Sequence, residues 1–294
     1  MITIQLVGGL GNQLFGLGLG LALEAKGRAV QYDVSAFEHD SARRYLLGDF
    51  GLNLPTVNIG ATPTIQETSL RYDPAVLDAK PGAVLRGYWQ NENYFSHLRN
   101  YLRGVLFDKM LKSEKTQELA LKIAELGSSS CFVHVRRSDN LRPTSTLYHG
   151  LTEEVFGNRY YDTALKLIGD KVPLVHWFIF SDDSAWCELE FAGISNCTVI
   201  THNAPSFTER SDHNLDKNNL GREVEDLYLM SLCRHAIIAN STFSFWGAWL
   251  GRSGSLHGEI LNDRIICAPD PWYSSDEAGE TEIIPDSWIK VPVK

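Results

Sequence analysis

Residues 2–33 read ITIQLVGGLGNQLFGLGLGLALEAKGRAVQYD. The apolar run 2–7 is strand-sized, and Gly8, Gly9 and Gly11 follow it with a tight loop. Leucines and alanines over 12–26 suit a helix, and 29–33 reads as a second strand ending at Asp33. Strand, helix and strand in this order open a parallel sheet, because parallel neighbours need a crossover that is usually a helix. After Gly127 and the serine run 128–130 the same rhythm returns more cleanly. CFVHVRR (131–137), a helix near 158–168, VHWFIFS (175–181), a helix over about 184–192 and CTVI (197–200) come first. An amphipathic helix over 222–234, AIIA (236–239), a helix from about 242 and RIICA (264–268) complete the series. Between the two halves, 34–80 gives only loops and short elements, 83–89 gives a strand, and 91–125 is rich in helix. The chain therefore reads as α/β with two domains, 1–128 and 129–294, and a cleft between them. One doubly wound domain with a long insertion is the alternative.

The bulk properties narrow the class. A formal charge of -9 argues against an obligate nucleic-acid binder. No run approaches the 18 or so apolar residues of a spanning helix. The opening MITIQLVGG has neither a basic n-region nor an export h-region, so the expected location is the cytoplasm. Cys131, Cys187, Cys197, Cys233 and Cys267 are odd in number, form no C-x-x-C and sit mostly in apolar runs. They read as reduced, buried thiols.

Four constellations carry chemistry. The first glycine loop invites a dinucleotide reading, with Asp33 near the distance of a ribose-binding acid. Leu14, however, occupies the place of the third glycine in G-x-G-x-x-G, and Gly16, Gly18 and Gly20 suggest close helix packing instead. Asn12 and Gln13 are uncommon at a helix start unless their amides are hydrogen-bonded. In H134-V135-R136-R137-S138-D139, alternation places His134 and Arg136 on one strand face and Arg137 on the other. At the C-terminal end of a parallel strand the first pair forms a phosphate site, and Arg137 needs a carboxylate, Asp139 being nearest in sequence. In F180-S181-D182-D183 one aspartate can accept from a base or ribose while the other caps the next helix. Finally, N240-S241-T242-F243-S244 opens a helix with hydroxyls and free N–H groups, a seat for a diphosphate. D-x-D, H-E-x-x-H and the P-loop pattern are all missing, so no metal is expected. A structural ion-pair network and a plain capping motif are the alternatives for these sites. Together the groups point to a nucleotide or a nucleotide sugar.

The chain also resembles the bacterial α-1,2-fucosyltransferases of glycosyltransferase family 11. The resemblance rests on GGLGNQLF (8–15), GYWQNENYF (87–95), HVRRSD (134–139), FSDDSAWC (180–187), the block 225–250 and IICAPDPWY (265–273), in that order. It implies a GT-B-like architecture of two Rossmann-type domains facing a cleft, with the acceptor side in 1–128 and GDP-fucose in 129–294. It further implies inverting, metal-independent transfer from GDP-β-L-fucose to the 2-hydroxyl of a terminal galactoside, forming an α-1,2 linkage. By the same resemblance Arg136 contacts the diphosphate and His134 shapes the donor site, while a more distant similarity to protein O-fucosyltransferases implies that Asp182 recognises guanine. Ser241, Thr242 and Phe243 line the phosphate region, and Asn12 sits near the reacting centre. For the general base, Asp139 and His134 are both candidates, and neither is singled out. Ser138, Asn140, Gly16 and Phe245 depart from the usual family residues. The implied partners are GDP-fucose and an acceptor galactoside or oligosaccharide, with no nucleic acid and peripheral association with membrane-linked glycan synthesis left open.

Overall fold

The computed structural model describes residues 1–40, 43–137, 151, 154–202, 223–251, 264–273 and 281–293. The chain forms two compact units, Met1–Leu111 with Glu277–Pro285 and Lys112–Asp276 with Asp286–Lys294.

The first unit opens with β1 (Ile2–Gln5), α1 (Leu10–Ala25) and β2 (Val30–Asp33), as the opening stretch predicts. Two-residue strands β3 (Thr56–Val57) and β4 (Ile65–Gln66) and then β5 (Val84–Arg86) complete a parallel sheet in the order β3-β2-β1-β5-β4. Helix α1 is buried nearly all round, from Leu10 to Leu23. Its alternating glycines do pack closely: a Cβ on Gly20 would overlap the Tyr32 hydroxyl, and one on Gly18 would meet the Phe95 ring. Helix α2 (Arg99–Phe107) closes the N-terminal segment of the unit.

In the second unit α3 (Glu114–Leu126) leads into β6 (Ser130–Val135), α4 (Arg159–Lys171), β7 (His176–Ser181), α5 (Ser184–Glu190) and β8 (Cys197–Val199). Then follow α6 (Glu223–Leu232), β9 (His235–Ile237), α7 (Thr242–Trp249), β10 (Ile266–Asp270) and β11 (Ile289–Pro292). The sheet order is β11-β10-β9-β6-β7-β8 and every neighbouring pair runs parallel. From β6 the sheet grows first through β7 to β8, then reverses and grows through β9 to β11. That reversal is the Rossmann arrangement, and it places the topological switch point between β6 and β9. Strand β6 is buried at every position, as befits a central strand covered on both faces.

These are the two Rossmann-type α/β units of the expected fold class. The division does not fall at 128/129, because 112–128 belong with the second unit. Helix α3 packs on α6. Ser113, which caps α3 by accepting from the Thr116 N–H, also donates from Oγ to Glu225 on α6 at 2.6 Å. The serine run is thus a turn within one unit, with the Ser130 hydroxyl donating to the Gly127 carbonyl at 2.7 Å. Among the described residues all five cysteines are free thiols, and no helix is long and apolar enough to cross a membrane.

Candidate functional site: a switch-point anion cradle

The C-terminal ends of β6, β7 and β9 bring three of the four constellations together. Val135 stands opposite Ser181 in register, so the residues leaving β6 and β7 are neighbours. Strand β6 ends at Val135, and both arginines lie just beyond it. Arg136 Nη1 is 3.5 Å from Asp182 Oδ2. The Arg137 N–H donates to Asp182 Oδ1 at 2.9 Å, and Arg137 Nε donates to Asp183 Oδ2 at 3.1 Å. The Arg137 guanidinium also lies 3.7 Å from the centre of the Trp186 ring, a cation–π contact. Asp183 therefore takes the carboxylate role that proximity in sequence gives to Asp139. Asp139 itself, with Ser138 and Asn140, lies outside the described residues. Asp183 also caps α5, accepting from the Trp186 N–H at 3.2 Å, as the doublet predicts. The carboxylate expected to recognise guanine, Asp182, is buried against both arginines.

His134, one residue before the strand ends, is buried, and its ring centre lies 5.7 Å from that of Phe243. Burial, with Arg136 adding to it and Asp182 opposing, pushes the imidazole pKa down to about 3. The ring is therefore neutral at neutral pH. Nδ1 is buried with no hydrogen-bond partner among the described residues, a costly arrangement that a ligand could relieve.

Across the switch point, Ser241 precedes α7 in extended conformation, and its hydroxyl makes no capping bond. The first-turn N–H groups of Thr242 and Phe243 thus face outward from the positive end of the helix. Ser244 does a different job, with its hydroxyl bonded to the carbonyls of Ala239 (3.2 Å) and Ser241 (3.1 Å). Phe245, Trp246 and Trp249 are buried in the core, as expected. Asn240, which opens the N-S-T-F-S run and is expected to offer a side-chain donor there, uses that donor within the protein. It is 2% exposed, donates from Nδ2 to the Trp272 carbonyl at 3.4 Å and leaves Oδ1 buried without a partner among the described residues. Two tyrosines of α4 brace this edge from behind. Tyr161 donates to the His134 carbonyl at 2.9 Å, and the Tyr160 hydroxyl binds the carbonyls of Ile238 and Cys267.

In the first unit, Asn12 Oδ1 accepts from Gln90 Nε2 at 3.0 Å. Gly8 has φ 74, and a Cβ there would fall 2.5 Å from Asn12 Nδ2, so the glycine is needed both for its turn and for this amide. Gln13 is wholly structural. Its amide binds the carbonyls of Gly8 and Arg44, and its oxygen accepts from the Leu46 N–H. Trp89, beside Gln90, adopts a left-handed φ of 53, and its N–H is held by Glu67 Oε1 at 3.0 Å. Asp33 does not serve as a ribose acid. Burial alone would raise its pKa, but N–H donors from Ser35, Ile59 and Ala61 hold it below the ordinary carboxylate range and occupy its oxygens. The dinucleotide reading therefore loses its second leg as well as its third glycine.

Arginines just beyond a strand end, buried polar atoms without partners among the described residues, and a helix start without a side-chain cap at a Rossmann switch point have the chemistry to receive a phosphorylated ligand. The comparisons with known proteins make this class specific. Residues 81–288 match the model of glycosyl transferase family 11, and the chain belongs to that family. It is 27% identical to an α-1,2-colitosyltransferase of Escherichia coli, with 99% of each chain covered. It is 26% identical to the O-antigen biosynthesis glycosyltransferase WbnK of the same species, over 97% of this chain and 99% of that one. Galactoside alpha-(1,2)-fucosyltransferase 2 of Bos taurus is 23% identical, with 99% and 79% covered.

Proposed function

We propose that the chain transfers L-fucose from GDP-β-L-fucose to the 2-hydroxyl of a terminal galactoside, inverting the anomeric centre to give an α-1,2 linkage. The observation that carries this reading is the convergence of Arg136 and the uncapped start of α7 on one switch point. In an inverting transfer the acceptor hydroxyl attacks C1 from the face opposite GDP, and negative charge grows on the departing diphosphate. A guanidinium fork and the N–H groups of Thr242 and Phe243 oppose that charge. The hydroxyls of Ser241 and Thr242 add short-range donors. Because these groups already supply a positive field, the transfer is read as metal-independent.

The acceptor proton needs a separate destination. His134, with a pKa of about 3, is too weak a base near neutrality and serves instead as a neutral hydrogen-bonding wall of the donor site. The Asn12 amide takes no proton and is assigned to orienting the acceptor. Of the residues expected to act, Asp139 is left for the proton. The acceptor class is a galactoside-terminated glycan of the kind assembled into surface polysaccharide.

Similarity to an α-1,2-colitosyltransferase supports a second reading, transfer of colitose, which is L-fucose lacking its 3-hydroxyl. The test is GDP release from GDP-fucose and from GDP-colitose with a panel of galactosides, in excess EDTA, followed by linkage analysis. Fucose in α-1,2 linkage at undiminished rate is the expected result. A preference for GDP-colitose would select the second donor, and activity restored only by magnesium or manganese would overturn the metal-independent reading.

A further inference from the structure

The first sheet has a switch point of its own. From β1 it grows through β2 to β3 on one side and has β5 and then β4 on the other, so the reversal lies between β1 and β5, where open α/β sheets take their ligands. A hydrogen bond joins the segments that follow these two strands, from Gln90 Nε2 to Asn12 Oδ1 at 3.0 Å. Gln90 is buried and Asn12 only partly so, which makes Asn12 the amide of the two that is open to a ligand. The residue before Gln90 is strained. Trp89 has a φ of 53, a region that bulky residues seldom adopt, and its indole Nε1 is buried without a partner among the described residues. Strain of this kind persists only where surrounding contacts impose it, and it gathers at functional sites. Here the imposing contact is Glu67, the residue after β4, anchored by its own N–H to the Arg86 carbonyl at 2.8 Å. Its carboxylate accepts two consecutive backbone donors, the Tyr88 N–H at 2.6 Å and the Trp89 N–H at 3.0 Å. Burial pushes the Glu67 pKa up, against the pull of these donors. Gly87 makes room for the clamp, because a Cβ there would overlap the Glu67 side chain. The Asn91 N–H then bonds back to the Trp89 carbonyl at 2.8 Å, which leaves Gln90 at the apex of a three-residue turn.

We propose that Glu67 is a positioning residue: by clamping 88–89 in their strained turn it sets Gln90, and Gln90 sets the Asn12 amide that meets the acceptor. This rests on the proposed role of Asn12 in orienting the acceptor hydroxyl. Glu67 acts through two other residues and touches no substrate, so its loss should impair use of the acceptor and spare the binding of GDP. Glu67→Gln keeps the size of the side chain but turns an NH2 group towards one of the two N–H donors, and so releases half of the clamp.

The experiment is a double-mutant cycle on the full chain, with Glu67→Gln, Asn12→Ala and the two combined. It reads kcat/KM for the galactoside that the unmodified chain uses best, at saturating GDP-fucose, with GDP affinity and thermal unfolding measured alongside. Glu67→Gln should lower acceptor kcat/KM by about tenfold or more and leave GDP affinity within about twofold. The combined variant should be no slower than Asn12→Ala alone, because residues that act through one another do not add. Losses that multiply would show that Glu67 works by another route and overturn the proposal, as would an unchanged kcat/KM in Glu67→Gln. Gln90→Leu gives a second cycle with Asn12→Ala that leaves the carboxylate untouched, and serves if Glu67→Gln does not fold. It cuts the bond to Asn12, so full acceptor activity there, or losses that multiply, would overturn the proposal equally. Full acceptor activity in Asn12→Ala, or an unmodified chain that transfers to no galactoside, would instead defeat the functional reading on which the proposal rests.

Discussion

Arg136 and Arg137 are adjacent in the chain and are held by adjacent aspartates, yet they have different work. Replacing Arg136 with Lys keeps the charge but loses the planar fork, and GDP-fucose turnover should fall by roughly a hundredfold, about 3 kcal/mol of transition-state stabilisation. Arg137→Ala removes a buried ion pair and the contact with Trp186, so it should lower unfolding stability by about 2 kcal/mol and affect GDP affinity less. Parallel GDP titrations and urea melts decide this, and normal turnover by Arg136→Ala would move the site. Strand alternation over 131–137 is not what separates the two arginines, because β6 ends at Val135 before either of them; they differ in side-chain partners, Asp182 for Arg136 and Asp183 with Trp186 for Arg137. His134 gives a second expectation. Its folded pKa of about 3 lies below the ordinary 6.5, so the unfolded chain takes up the proton first on acidification. The contribution to stability is complete above about pH 6.5 and shrinks as pH falls towards 3, by up to about 1.4 kcal/mol per pH unit. Urea melts from about pH 7 down to about 4.5 should be steeper in pH for the unmodified chain than for His134→Gln; equal slopes would remove this histidine from the account. Asn240 was not assignable from sequence, because its orphaned oxygen depends on which carbonyl its amide reaches across the sheet.

Among the elements, α7 separates holding from binding. Ser244→Ala deletes the hydroxyl that ties the first turn to Ala239 and Ser241, and should cost about 1 kcal/mol of stability. Ser241→Ala removes a hydroxyl that caps nothing, and should leave stability within about 0.5 kcal/mol while weakening GDP. Denaturation and titration of both variants test this, and a reversed pattern would make Ser241 the structural residue. The longer strands and helices were readable because burial imposes a period or an unbroken apolar run on them. Strands β3 and β4, at two residues each, are too short to show any period, and β11, whose IKVP has Lys290 and Pro292 between and after its apolar residues, offers no unbroken apolar run. The unit boundary was misplaced because a serine run looks the same in sequence whether it joins two units or turns within one.

At the scale of the molecule, the chain leaves the first unit after Leu111, returns to it for Glu277–Pro285 and leaves again. Within the first unit, Glu282 Oε2 accepts from the Tyr72 N–H at 3.1 Å and from Asn91 Nδ2 at 3.2 Å, and Ile283 is fully buried. In the second, β11 pairs with β10 and Trp288 lies against Phe245. Deleting 277–294 should therefore lower the melting of both units, by several degrees at least. Calorimetry of the truncated chain checks this, and a transition matching that of the full chain would show that one unit does without the returning segment. The doubly wound order of the second unit follows from its alternating elements, but no local pattern announces a return into the first. That route also bears on how the protein is made. During vectorial synthesis the first unit emerges earliest yet lacks a buried piece of its own interior until nearly all of the second unit has been translated. Its closure must then come late, and a ribosome pausing within the second unit would hold the first unit incomplete, and open to chaperones or to aggregation, for the length of the pause.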